Sequence, residues 1–349
     1  MSQFSHISKA RLAEYRQQAD PIADSVIEAY FPQDREALQK ELEGLAINSS
    51  ELSRDAKSEL QRLYREVHSI HIGLDSDVLK KGQKFFGDHA SDIMLLLGML
   101  SLPYCYAAAN GAEVLVRSRR ILEEPEKRLL ETAEFVFDVS AKDAFQDKGK
   151  AIVSIIKVRL MHAAARWYAK KSTDWEIDVY GEPVNQEDMA GTNLAFSLIV
   201  VRGLKKLGKS IHSEEAFHYI NYWNAIGKLL GLKEDLLPRS NKEAYILERN
   251  IRERQFEPSE SGKRLTQSLL TYFEEATYDS PLKGQSNALV AFLLGEKVSQ
   301  ILGVEQKFMD NLVFQPYKYL FQFQNILDLK NDSYSQALKQ FREAQKSMS

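Results

Sequence analysis

The amino-acid sequence predicts an all-α protein, and three observations carry that expectation. Apolar residues recur at the three- and four-residue spacing of a helix face along nearly all of the 349 residues. No succession of alternating apolar and polar segments is joined by Asn-Gly or Gly-Gly turns, as a sheet would require. No Pro/Gly/Ser-rich linker or block of like charge divides the chain. The expected organisation is therefore a single large multi-helical domain over 75–330, with an N-terminal helical extension over 1–74 and a polar, frayed C-terminal tail over 331–349.

The elements follow in order. Asp20, Pro21 and Ile22 open an amphipathic helix that runs through Ala29 and Tyr30, and 50–67 reads as a second, with Leu52, Leu60, Leu63 and Val67 spaced for one face. Helices are expected over 76–86, along the apolar stretch from Ser91, and from Pro125 through Leu129, Leu130, Ala133 and Val136. A long helix spans 148–171. After a polar loop, Asn185-Gln186-Glu187-Asp188 looks like an N-cap followed by first-turn acids, for a helix that runs through Phe196 to Leu207 and stops at Gly208. Ser213 starts another that ends at Gly227 or Gly231, and further helices are expected over 241–255, 259–275, 285–302 and 305–329.

Composition narrows the function. With 44% hydrophobic and 27% charged residues the chain is of ordinary globular type, and a net charge of -3 gives no positive field to draw it to nucleic acid or anionic membranes. Cys105 is the only cysteine, which excludes an intrachain disulfide, a thiolate-rich metal cluster and a C-x-x-C-H haem attachment. The first thirty residues carry Lys9, Arg11, Glu14, Arg16 and Asp20 and no apolar core of signal-peptide length, so a cytoplasmic location is expected. Ile93 to Ala109 is uncharged and approaches membrane-spanning length, but Ser101, Pro103, Tyr104 and Tyr106 interrupt it, and it reads as a broken core helix rather than an integral span.

The segment most suited to chemistry is Arg159-Leu160-Met161-His162-Ala163-Ala164-Ala165-Arg166. Helical spacing puts Arg159, His162 and Arg166 along one face. An imidazole between two guanidiniums and small alanines suits a porphyrin, with His162 on iron and each arginine on a propionate. A core histidine beside two surface arginines has the same spacing, and spacing alone leaves both open.

From about residue 128 to 238 the chain resembles the family of haem oxygenases that includes the latex-clearing proteins and the fungal MpaB oxygenase. The matching elements are Arg128-x-x-x-Thr132, Arg159-x-x-His162-x-x-x-Arg166, the segment from Pro183 to Asp188, Thr192-x-x-x-Phe196-Ser197, and the stretch from Trp223 through Gly231 to Leu236-Leu237-Pro238. The resemblance implies an all-helical fold with a pocket for haem b between helices, non-covalently held, His162 as its proximal ligand, O2 as co-substrate, and an apolar, unsaturated lipid or isoprenoid-like molecule as substrate. A non-catalytic haem carrier or sensor is the alternative. Arg128 and Thr132 match the family's distal pair. Glu113, near the position of a catalytic glutamate in the latex-clearing proteins, lies in an apolar region beside Arg117, Arg119 and Arg120; it can serve as a base with a raised pKa or pair with an arginine. One departure is plain: Glu131 stands where the latex-clearing proteins carry a lysine able to reach the iron.

Other patterns have simpler readings. Glu215-x-x-His218 has di-iron spacing but no second copy, so a polar helix surface is expected. His68 and His71, beside Glu66, read as a solvated helix face, Cys105 as a small buried hydrophobe, and the aromatic run from Phe314 to Phe323 as core packing or a channel wall.

Overall fold

In the computed structural model residues 8–117, 125–276, 284–304 and 333–348 are described; the aromatic run at 314–323, the helix expected over 305–329, Arg119 and Arg120 lie outside them. Among the described residues the regular structure is helical, apart from an isolated bridge between Ala108 and Phe256.

The Ser8 hydroxyl caps α1 (Lys9–Arg16), and the Asp20 side chain caps α2 (Pro21–Tyr30), accepting from the Ala23 amide at 3.3 Å behind the N1 proline. Ala23, Val26, Ile27 and Tyr30 bury one face of α2. After α3 (Arg35–Gly44), the helix expected from residue 50 begins only at Ser58, as α4 (Ser58–Ile72). The reason is local: the Ser50 hydroxyl accepts from the Ala46 and Ile47 amides and holds a turn instead.

The segments read separately over 76–86 and from Ser91 form one run. α5 (Ser76–Leu96) breaks direction at His89, then passes through a π-helical turn, Leu97–Ser101, into α6 (Leu102–Tyr106), whose first turn tolerates Pro103. By length and composition this run could cross a bilayer, yet half of its apolar window is buried inside the protein.

α7 (Ala109–Arg117) and α8 (Pro125–Ser140) lead to the central α9 (Ala151–Lys171). α9 starts a little later than the sequence suggests, because the Asn48 carboxamide accepts from the Ile152 amide at 2.9 Å and so caps it from a distant loop. The short α10 (Ile177–Tyr180) precedes α11 (Gln186–Phe196) and α12 (Leu198–Lys206); these two were expected as one helix, but Ser197 leaves helical geometry between them. α13 (Ser213–Leu229) and α14 (Asn241–Gln255) match expectation, as does α15 (Glu260–Ala276). The helix expected over 285–302 is split at Gly295, φ +81°, into α16 (Ser286–Leu294) and α17 (Glu296–Leu302).

The C-terminal tail is not frayed. Residues Ser333–Met348 form α18, where Tyr334, Ala337, Leu338 and Phe341 make a stripe at helical spacing that packs on α5 and α8; Tyr334 meets Phe86 and Phe137 edge-on. Its polar composition concealed that stripe. The N-terminal region is equally integral: α2 joins the main core with α4, α5, α8 and α9, while α1 joins a second core with α11, α13 and α14.

Candidate functional site

α9 is helical because Ile152, Val153, Ile155, Ile156, Leu160 and Ala163 give it an almost continuous buried surface, into which two charged residues intrude. Arg159 and Arg166 are only 2% and 3% exposed, so both must be paired.

They are paired differently. Arg159 donates through Nε and Nη2 to Asp20 on α2, the Nη2 bond measuring 2.9 Å, and also from Nη2 to Glu66 on α4 at 3.1 Å and from Nη1 to the Leu229 carbonyl at 3.5 Å. Every guanidinium nitrogen thus has a protein partner. Gly231, φ +86°, is part of this tie, since a Cβ there would lie 2.9 Å from both Arg159 Nε and Asp20 Oδ2. Arg166 donates from Nε to Asp24 Oδ1 at 2.6 Å and from Nη1 to the Val184 carbonyl at 3.3 Å. Its Nη2 is buried without a partner. The sequence reading gave both arginines to cofactor carboxylates; the geometry leaves one guanidinium nitrogen of Arg166 without a partner and none of Arg159.

Between them, His162 is partly buried, and its Nδ1 is sealed from solvent with no hydrogen-bond partner. Burial, then the positive charges of Arg166 and Arg128, pushes its pKa down to about 3, against a smaller opposite pull from Asp20. The ring is therefore neutral at physiological pH, as a metal-ligating imidazole must be. Ala164 and Ala165 beside it are likewise only partly buried. An imidazole next to a buried, unsatisfied cationic donor would suit a haem, with His162 offered to its iron and Arg166 to a carboxylate.

α8 lies across from α9, close enough for Arg128 to be felt electrostatically at His162. Arg128 Nη1 is 3.4 Å from Glu131 Oε2, and the Thr132 hydroxyl donates back to the Arg128 carbonyl at 2.9 Å. Both side chains remain half-buried rather than sealed. Glu113 does not join this group by any contact among the described residues: the Ser261 hydroxyl donates to it, and Arg117 Nε is 3.6 Å from its other oxygen. The Arg117 guanidinium that pairs with Glu113 also lies over the rings of Trp175 and Tyr180.

The competing patterns resolve as structure. Glu215 accepts from the His212 amide at 3.0 Å and closes a capping box, while His218 faces Glu214 at 3.6 Å. His68 lies against Tyr64 and His71 against Phe145, and Glu66 is taken by Arg159. Among the described residues no three His, Cys, Asp or Glu side chains form a metal-binding group. Burial pushes the Cys105 thiol up to about 12, so it is protonated and no thiolate ligand.

Residues that sequence reasoning missed are the partners. Asp20, the N-cap of α2, and Asp24, one turn further on, answer Arg159 and Arg166; acids at i and i+4 at the start of an amphipathic helix were the available signal. The segment from Pro183 to Asp188 is a second tie. Asn185 caps α11, Gln186 donates to the Ala19 and Gly231 carbonyls, and the fully buried Glu187 meets Arg16, Arg254 and Gln255.

Comparison with known proteins places this architecture. The latex clearing protein LCP in its closed state superposes with a TM-score of 0.74, covering 93% of this chain and 90% of that one at 21% identity. The rubber oxygenase of Streptomyces sp. (strain K30) is 23% identical over 312 residues, 88% of this chain and 75% of that protein. The family model for the catalytic domain of the ER-bound oxygenase mpaB/B' and rubber oxygenase matches residues 88–322, most of the chain and all of α7 to α17, and the protein therefore belongs to the MpaB and rubber oxygenase family.

Proposed function

We propose that the protein is a haem b oxygenase that holds its haem without a covalent bond, takes His162 as axial ligand, and acts with O2 on an apolar, unsaturated lipid or isoprenoid-like molecule by oxidative C=C cleavage. The observation that carries this reading is the buried, unpaired Nδ1 of His162 one helical turn from the unsatisfied Arg166 Nη2, in the interior of a family oxygenase. When bound, haem supplies the electronic chemistry of O2 activation that no side chain here can supply.

The chain's own groups then have distinct tasks. His162 offers an unprotonated ring nitrogen, and Arg166 a charge-assisted bond to a propionate. Arg128 and Thr132 on α8 offer a guanidinium and a hydroxyl to orient oxygen or a water. Leu129 and Leu130, half-buried beside them, keep the surroundings apolar and suit a hydrocarbon substrate.

The test is spectroscopic. Protein reconstituted with haem should show a Soret band and a b-type pyridine haemochrome, and His162→Ala should abolish the band. No band in the parent protein, or an unchanged one in the variant, sinks the assignment. A non-catalytic carrier or sensor is favoured by one observation, the engagement of Arg128 by Glu131. Oxygen uptake on adding squalene separates the two, because a carrier gives the spectrum without turnover.

A further inference from the structure

We infer that Asp24 and the main-chain carbonyl of Val184 are positioning groups that aim the third nitrogen of Arg166 at a cofactor carboxylate, an inference that rests on the haem reading above. A guanidinium is a rigid planar fork, so fixing two of its nitrogens fixes the direction of the third. Asp24 Oδ1 takes Nε at 2.6 Å and the Val184 carbonyl takes Nη1 at 3.3 Å, leaving Nη2 buried and unanswered. Arg166 stands one helical turn beyond His162 on α9, which places the clamp beside the ligand histidine.

Val184 shows that this arrangement is imposed. Among the described residues it is the only non-glycine with positive φ, at +50°, and a β-branched residue there is strained. The strain persists because the neighbouring chain is pinned on both sides. The Glu182 amide donates to the Arg16 carbonyl at 3.0 Å, the Gln186 amide to the Gln18 carbonyl at 2.9 Å, and Lys170 on α9 pairs with Glu182 at 2.6 Å. Asn185 closes the loop, donating to the Glu182 carbonyl at 2.9 Å while capping α11. The unfavourable backbone conformation is thus held where its carbonyl meets Arg166.

The contrast with Arg159 separates positioning from simple anchoring. Asp20, Glu66 and the Leu229 carbonyl engage all three guanidinium nitrogens of Arg159, whereas Asp24 and the Val184 carbonyl engage two of those of Arg166 and leave Nη2 unanswered. Asp20 and Asp24 come from the same helix and bracket His162 on α9, so α2 sets the height of the histidine helix and the aim of its second arginine together.

The experiment is a double-mutant cycle on haem affinity, read by Soret titration, with thermal unfolding of the haem-free proteins alongside. Asp24→Ala and Arg166→Ala should each weaken haem binding about tenfold or more, and the double variant should be no weaker than Arg166→Ala alone, because Asp24 acts through Arg166. Asp24→Asn keeps the Oδ1 acceptor and should stay within about threefold of the parent. Val184→Gly relaxes the backbone and should weaken haem binding several-fold with little change in the haem-free thermal midpoint. Additive losses in the cycle, or variants that shift unfolding while leaving haem affinity intact, overturn the inference. Should Asp24→Ala fail to fold, Asp24→Asn and Val184→Gly decide it. A parent protein that binds no haem removes the haem reading itself, and with it this one; a parent that binds haem while the cycle is additive removes only this one.

Discussion

α9 and α8 present an arginine near a candidate functional side chain, yet the two helices are secured in opposite ways. On α9, Arg159 and Arg166 reach carboxylates 139 and 142 residues away in sequence, and both guanidiniums are sealed from solvent. On α8, the partner of Arg128 is Glu131, three residues on, and the two side chains are 27% and 32% exposed. A buried ion pair cannot be released cheaply, since its remaining charge would be stranded in the interior, whereas a solvent-screened i,i+3 pair exchanges readily. The arginines that flank His162 are therefore fixed by the global fold, whereas Arg128 is tied by a local, solvent-screened pair on a helix that is itself anchored in the core through Val136 and Phe137.

The largest expected effect tests the fixed wall. Asp20→Ala removes the two-point acceptor of Arg159 and leaves a buried cation with only Glu66 and a carbonyl; about 3–5 kcal/mol of stability should be lost. Urea unfolding of the haem-free protein measures it. A loss below about 1 kcal/mol would mean that α9 is held by apolar packing alone and that the contrast with α8 has no energetic content.

Asp20 also shows where the sequence was legible and where it was not. As an N-cap ahead of Pro21 it announced α2, because capping is a relation between neighbours in the chain. Its bond to Arg159 could not be read, since only the folded packing of α2 on α9 brings the two together. The same division runs through the site. His162 and its flanking arginines were visible from helical spacing, and Asn185 from its cap pattern, but spacing treated Arg159 and Arg166 as equals. The late start of α4, the break at Ser197 and the caps at Ser50 and Asn48 depend on side-chain hydrogen bonds that compete with the helix, and periodicity does not register them. In α18 the overall polarity of the segment hid a stripe of four residues, so a packed helix read as a tail.

A smaller effect asks whether buried ion pairs support the frame elsewhere. Glu248 on α14 is 3% exposed and bonded to Tyr104, Arg202 and Arg252. Burial alone would raise its pKa, but Arg202, Tyr104 and Arg252 together hold it below the ordinary carboxylate value. A carboxylate so depressed contributes stability above its unfolded pKa and loses it as pH falls through the folded value. Glu248→Gln should therefore lower stability at pH 7, by about 1.5–3 kcal/mol for lost bonds to a charged group, and the gap between variant and parent should narrow as the pH falls through the carboxylate range. A gap that stays constant across that range would show that the loss comes from packing and not from charge.

The smallest expected effect lies on α8 and is the most direct way to break the comparison. Arg128→Gln removes the contact with Glu131 but leaves a long polar side chain on a half-open helix face, so stability should change by about 0.5 kcal/mol or less. If Arg128 serves oxygen rather than the fold, the same variant should retain its haem spectrum while oxygen uptake with squalene falls about tenfold. Unfolding and turnover, measured on one preparation, then separate the two tasks: a loss of several kcal/mol would place Arg128 in the same fixed category as Arg159, and unchanged turnover would leave α8 without a role in the chemistry.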